Sequence, residues 1–580
     1  MTSREALRGR LPGAVAALQA LLVLGPALGP GVVLAYDMPW SPDPRWTPFV
    51  LGLDTPAPRA VPSDALAVAA GWVAGAGMAQ AAILGSILVA LGLGCVALLV
   101  ELAPSTGLAG RLACVVMAVW NPYVSERLFV GQWVVLLGLA VLPWALRSAV
   151  RVVRGTGGAR SLLLACVLAG MGGVNAVLVV AIGVLPVLLL ASVRKGESRS
   201  RVALAAVIAT LVGISSAWAL PGLASDVSPD RVAVEAFAAR SDSALGVIGS
   251  VISGGGFWNT ASHPEPRAQP MVALAALLLA VASVGALARH LRASRAVVVL
   301  VPAVLGLVVV LCSAVDATRP AWEQLLAVLP GGGAFRDSHK LLGPWVVAVA
   351  VGCGLLVARS ARTLPTALRT PAAVCVVGVV VLLSPQLFWG LGGRLDAVEV
   401  PEGYRAGAQR LSDLPKGEVG LLPWSQYRRY SWNESRVSLT LGPRMFDQRV
   451  LFDDSLPLRG VVVAGERDHA REVSEAIAEG GDPVTALHDA GVRYIAAELD
   501  TGLPVDTRAV RASGTVVVDD PTLLVVDLGR GRGAPGESRG AGVVLLGWMV
   551  TTITALLVLG VGVARRSRRR LPAGLLRSRP

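Results

Sequence analysis

The residues best able to do chemistry gather in three short stretches of this 580-residue chain. The first, YDMPWSPDPRWTP (36–48), follows an apolar run directly and carries Asp37 between Tyr36 and Trp40. Pro39, Pro42, Pro44 and Pro48 stiffen it, which holds the carboxylate at a lipid–water boundary. A carboxylate placed there can take the proton of an acceptor hydroxyl beside a lipid-linked donor. The plainer reading is a solvated acid that ends a helix, and Asp43 and Asp54 are weaker candidates for the same task. The second stretch, AFRDSHKLLGPW (334–345), follows the glycine-rich PGGG (330–333) and sets Arg336, Asp337, His339 and Lys340 ahead of an apolar run. Two cations at the start of a membrane helix make a phosphate clamp, or else snorkel to the interface. The third, WNPYVSERLFVGQW (120–133), interrupts apolar sequence with Glu126, Arg127 and Gln132 among aromatic residues. Unpaired polar groups are costly in hydrocarbon, so the stretch is expected as an outer-face turn, with Asn121-Pro122 ending one helix and Gly131 admitting the next. Arg127 then meets an anionic head group or pairs with Glu126.

The elements that must position these residues are mostly membrane helices. The chain is 54% hydrophobic and only 16% charged, with a mean hydropathy of +0.63; soluble proteins carry roughly 25% charged residues. Its net charge of +13 lies largely in short loops and in the tail 564–580, which is the positive-inside pattern and not a nucleic-acid surface. The six cysteines fall inside apolar runs without CxxC spacing, so neither disulfides nor a cysteine metal site are expected.

Apolar runs at 13–35, 79–102, 109–121, 132–148, 161–173, 175–193, 202–220, 271–288, 296–314, 341–358, 371–391 and 541–563 predict about twelve transmembrane helices. Basic connectors at 147–160, 194–201, 288–295 and 359–370 are assigned to the cytoplasm together with both termini. The acidic connectors 36–66, 120–133, 221–270 and 315–340 then face outward. The expected organisation is a multi-helix membrane core (1–394), an extracytoplasmic α/β domain (395–535), then a linker, a last transmembrane helix and a basic cytoplasmic tail (536–580). In the α/β domain, strand-like runs at 418–424, 459–465, 492–498, 514–520 and 522–528 alternate with helical patterns at 468–480 and 482–491.

These pieces in this order resemble the GT-C superfamily of polytopic membrane glycosyltransferases. The likeness rests on YDMPW (36–40), WNPYVSERLFVGQWVVLLGLAVLPW (120–144), GGGAFRDSHKLLGPW (331–345), LPWSQYRRYSWN (422–433) and AGVRYIAAE (490–498). It is nearest to actinobacterial arabinofuranosyltransferase-like proteins of cell-wall polymer synthesis. The resemblance implies transfer of a sugar from a polyprenyl-phosphate donor to a cell-envelope glycan at the outer face of the plasma membrane. It implies Asp37 as catalytic base, with Arg127, Arg336 and Lys340 at the donor phosphate. Trp40, Tyr123 and Trp133 would offer flat surfaces to sugar rings. Trp424, Tyr427, Arg428 and Trp432 would hold the acceptor. The first outer loop contains no Asp-x-Asp or Glu-x-Asp pair, so no cofactor is called for and a divalent metal has no clear acidic pair to bind it.

Two other classes fit parts of the sequence. A transporter or flippase for lipid-linked sugar would place polar residues on broken helices near the bilayer midplane, where Asn175 in GMGGVNAV (170–177) stands out. A non-catalytic envelope-assembly protein would use its helices as an anchor for the α/β domain, for which about twelve spans are more than enough.

Overall fold

In the computed structural model, which describes residues 3–54, 58, 60–195, 197–224, 231–293, 300–329, 331–458, 461–529 and 540–570, each apolar run expected to cross the bilayer is helical over most of its described residues, while the run at 13–35 leaves its helix after Leu28 and continues into the short strand Val32–Val33. Asp226, Asp230, most of the Gly/Arg linker and the tail beyond 570 lie outside the described residues. Among those residues, eight helices are long and apolar enough to span a membrane: Gly9–Leu28, Ala76–Leu102, Trp133–Arg154, Gly173–Arg194, Ser198–Leu223, Pro270–Ala293, Ser338–Thr363 and Ala541–Gly560. A ninth crossing results if Val301–Ala314 and Arg319–Val328, bent by 104° at their break, make one span. The chain is thus a multi-pass membrane protein.

The count falls short of about twelve for a simple reason of length. The runs at 109–121 and 161–173 form Leu108–Val119 and Ala159–Gly170, each of 12 residues. At 1.5 Å per residue such a helix is about 18 Å long, against about 30 Å of hydrocarbon. The run at 371–391 yields the 17-residue helix Thr366–Leu382. Trp133–Arg154 and Ser338–Thr363 are the most enclosed spans, and the bundle is built around them. At the helix ends away from Asp37, Glu101 lies 3.4, 4.0 and 3.5 Å from Arg147, Arg151 and Arg154.

The C-terminal α/β part holds a five-stranded mixed sheet. We label its strands β1 (Glu418–Leu422), β2 (Arg449–Leu451), β3 (Tyr494–Glu498), β4 (Thr515–Asp519) and β5 (Leu523–Asp527). The order is β4-β5-β3-β1-β2, parallel through β3-β1-β2 and antiparallel through β4-β5-β3. Strand side chains alternate between faces, and both faces are covered. Tyr494, Ala496, Leu523 and Val525 join the core continuous with the helix bundle. Ile495, Ala497, Leu524 and Val526 pack instead with Ala470, Val473, Val484 and Leu487 of the helices Asp468–Ala478 and Pro483–Asp489. One strand expectation is corrected. The run at 459–465 contributes Val461–Val463 to a separate hairpin with Leu456–Leu458, and the short strand β2 takes the sheet edge.

The α/β part is stitched to the segment that carries Asp37. Val32–Val33 pairs with Ala397–Val398, and the buried Gln80 side chain accepts from Val33 N at 2.8 Å and donates to Val33 O at 2.9 Å. Tyr36 N donates to Val437 O at 2.6 Å, and Leu439 N donates to Tyr36 O at 3.1 Å. Asp37 itself is held from the bundle, its N–H donating to Val130 O at 3.1 Å.

Candidate functional site

The stretch 120–133 is not the exposed turn its polarity implied. Asn121 caps a short helix, Pro122–Phe129, by accepting from Val124 N at 3.0 Å, and Pro122 occupies its first turn. Ser125, Glu126 and Arg127 on this helix have no exposure at all. Two residues past the end of the helix stands Gly131, whose φ of +70° suits glycine. A Cβ there would fall 2.2 Å from Ala35 O, so only glycine lets the two backbones meet this closely. That contact sets Gln132 beside Asp37.

A polar chain results. Gln132 Nε2 donates to Asp37 Oδ2 at 3.0 Å, while Gln132 Oε1 accepts a short hydrogen bond from Arg127 Nη1. Arg127 also donates to both oxygens of Asp337, at 2.6 and 3.3 Å, and faces His339 Nδ1 at 3.0 Å. Because a guanidinium only donates and the Gly255 carbonyl, 3.1 Å from Nε2, only accepts, His339 is the neutral Nε2–H tautomer. The ring of His339 stacks on Tyr123, whose hydroxyl donates to Lys340 O at 2.8 Å. Lys340 Nζ donates to Asn175 Oδ1 at 2.8 Å and to Ala334 O at 2.6 Å. Arg336 lies over the ring of Phe237 at 5.0 Å.

Asp37, Arg336 and Lys340 line one cavity of about 1800 Å³ between the bundle and the α/β part. Its apolar wall includes Val134, Val174, Leu178 and Leu223, and its polar wall includes Gln426, Tyr427, Arg429 and Thr501. Asp37 is enclosed by protein yet its carboxylate is open to this space, where Tyr427 Oη approaches Oδ1 at 3.4 Å. Enclosure raises the Asp37 carboxyl above the usual aspartate range; hydrogen bonds from Gln132 and Tyr427 oppose that shift. Asp337 goes the other way. Burial raises it, but the Arg127 guanidinium, with Lys340 nearby, holds it below the ordinary value. A chamber of about 30 Å³ adjoins Asp37 and Asp64, lined by Trp40, Trp133 and Arg444.

The expected site residues therefore divide. Asp37, Trp133, Arg336, Lys340, Tyr427 and Arg428 line the large cavity, and Trp40 lines the small chamber, 5.8 Å between ring centres from Trp133. Four others do not line either space. Arg127 is fully buried and paired with Asp337, not with Glu126. Tyr123 is buried behind Lys340. Trp424 donates to Ser474 Oγ at 2.8 Å and packs in the core of the α/β part. Trp432 stacks on Tyr430 with ring centres 4.5 Å apart. Arg428, although at the cavity wall, is buried in an ion pair with Glu498 at 2.6 Å. Gln132, Asn175 and Asp337 were the residues to add. The signal for Gln132 was its place directly after Gly131, and for Asp337 its place between two cations. Among the described residues no cluster of three or more His, Cys, Asp or Glu side chains could hold a metal ion.

Fold and site together define a multi-pass helical membrane protein with a mixed α/β part over a polar cavity. Among solved structures, the arabinofuranosyltransferase AftD from Mycobacteria matches with a TM-score of 0.55 at 15% identity. The match covers 93% of this chain and 40% of that one, so the chain spans well under half of AftD's length. ArnT from Cupriavidus metallidurans, solved with undecaprenyl phosphate, matches less closely, with a TM-score of 0.45 at 13% identity over 92% of this chain and 100% of that one. No protein-family model and no curated protein matches the sequence. The likeness to AftD is one of fold.

Proposed function

We propose that the chain is a membrane glycosyltransferase that moves a sugar from a polyprenyl-phosphate donor to a cell-envelope glycan on the outer face of the plasma membrane. The observation that carries this reading is that a carboxylate, Asp37, and two cations, Arg336 and Lys340, open into one large cavity with an apolar and a polar wall. In this reading residues 1–394 form the membrane core and 395–535 an extracytoplasmic domain, with both termini in the cytoplasm.

The chemistry needs little beyond what those groups supply. Asp37 takes the proton of the acceptor hydroxyl as its oxygen attacks the anomeric carbon. The bond from that carbon to the phosphate oxygen breaks, and the polyprenyl phosphate leaves with its charge met by Lys340 and Arg336. Phosphate is a good leaving group, so no strong general acid is required. Trp133 offers a face to the donor sugar, while Tyr427 and Gln426 meet the acceptor. The apolar wall of Val134, Val174, Leu178 and Leu223 suits the first part of the lipid chain.

Transport is the less favoured reading because Asn175 does not form a polar site of its own; it serves Lys340 in this same cavity. The test is transfer of labelled sugar from polyprenyl-phosphate donors into envelope glycan by the Asp37→Asn variant. Loss of transfer supports the reading, and full retention removes it.

A further inference from the structure

We propose that Gln132 is the positioning residue of the base: Arg127 locks its amide in one orientation, in which it donates to Asp37 and holds that carboxylate ionised and aimed into the cavity. The inference rests on the reading of Asp37 as base and adds the device that controls it.

The orientation follows from donor and acceptor inventories. A guanidinium has only N–H groups to offer, so the Gln132 atom facing Arg127 Nη1 must be the amide oxygen. A flipped amide would set its N–H groups against the wholly buried Arg127 guanidinium, and a buried donor left without its acceptor is costly. With Oε1 committed, Nε2 is the atom left at 3.0 Å from Asp37 Oδ2. Arg127 cannot swing to allow the flip. It is fixed on both oxygens of Asp337 and on His339 Nδ1, and His339 is fixed in turn on the Gly255 carbonyl. The backbone is pinned as well, with Gln132 N donating to Arg127 O at 2.9 Å.

The surroundings of Asp37 make this donor matter. From the bundle side it faces Arg127 and Asp337, and Lys340 and Arg336 line the same cavity. Asp64 and Arg444 share the adjoining chamber, and Tyr427 approaches from the α/β part. Among the described residues only Gln132 and Tyr427 donate to the Asp37 side chain, and Tyr427 does so at the longer distance of 3.4 Å. A donor at the charged form favours ionisation, whereas enclosure opposes it.

The test reads ionisation directly in the full chain. A carboxyl-reactive carbodiimide labels protonated acids, so the pH midpoint of Asp37 labelling, followed by peptide mass spectrometry, reports its ionisation without any substrate. In Gln132→Glu the second oxygen becomes an acceptor against Asp37, and two carboxylates this close share a proton. The midpoint should rise by about one pH unit or more. In Gln132→Met, which keeps length but loses the donor, it should rise by a smaller amount. An unmoved midpoint in both variants overturns the proposal, and Gln132→Met decides alone if the glutamate variant is not recovered folded. Transfer by Asp37→Asn is scored separately. Retained transfer with a moved midpoint leaves Gln132 in control of an acid that is not the base, so the two failures are told apart.

Discussion

Arg127 and Asp337, 210 positions apart in the chain, meet through paired hydrogen bonds of 2.6 and 3.3 Å, with the arginine wholly buried. The pair joins the short helix Pro122–Phe129 to the loop that carries Arg336 and Lys340, and through Gln132 it reaches Asp37. Breaking it from one side leaves a buried charge without its partner. Asp337→Asn is expected to destabilise the protein by about 3–5 kcal/mol. Removing both charges, as in Arg127→Met with Asp337→Leu, should recover much of that loss. Thermal unfolding in detergent compares the three proteins.

Lys340 should govern the lipid-linked donor. Its Nζ lies in the cavity wall between Asn175 and Ala334 O. A charged hydrogen bond is worth about 1.5–3 kcal/mol, so Lys340→Met should lower kcat/KM for the donor about ten- to hundredfold. Inhibition by free polyprenyl phosphate should weaken in a similar ratio. Loss of kcat/KM with unchanged inhibition would take Lys340 away from the phosphate.

The two carboxylates of the polar chain should respond to pH with opposite sign. Asp337 titrates lower in the folded protein than in the unfolded one, so it contributes stability that is full above the unfolded value and is lost as pH falls through the folded value. Asp37 titrates higher when folded, so ionising it at rising pH withdraws stability. Asp37→Asn should therefore melt no lower than the parent at acid pH and higher near neutrality. Melting curves across the acid range measure both effects.

Trp432 and Tyr427 should separate fold from function. Trp432 is stacked on Tyr430 and set edge-on to Tyr404, away from the cavity. Trp432→Ala should cost about 3 kcal/mol of stability, the low end for aromatic truncation, because the ring is only half-buried. Its KM for acceptor should stay near the parent's. Tyr427→Phe keeps the ring and loses only the hydroxyl near Asp37, so its effect should fall on rate and pH dependence, with melting unchanged.

What could be read in advance divides along physical lines. Apolar runs identified the helices because hydrocarbon selects for composition. They could not say that Leu108–Val119 and Ala159–Gly170 stop short, since that depends on what covers their ends. Asp37, Arg336 and Lys340 stood out as charges beside membrane segments, and they line the same cavity. Arg127 stood out for the same reason but is spent on Asp337, a partner visible only once the fold joins two distant segments. Trp424 and Trp432 stood out as acceptor contacts because aromatic type alone does not distinguish a binding face from a core.

The most direct measurement is made on Asp37→Asn, purified in full length and assayed with labelled polyprenyl-phosphate sugar donors and envelope glycan. General-base catalysis contributes about 10²–10⁴-fold, and transfer should fall by that factor while the variant melts at or above the parent's temperature. A folded Asp37→Asn protein that transfers sugar at the parent's rate would contradict the account.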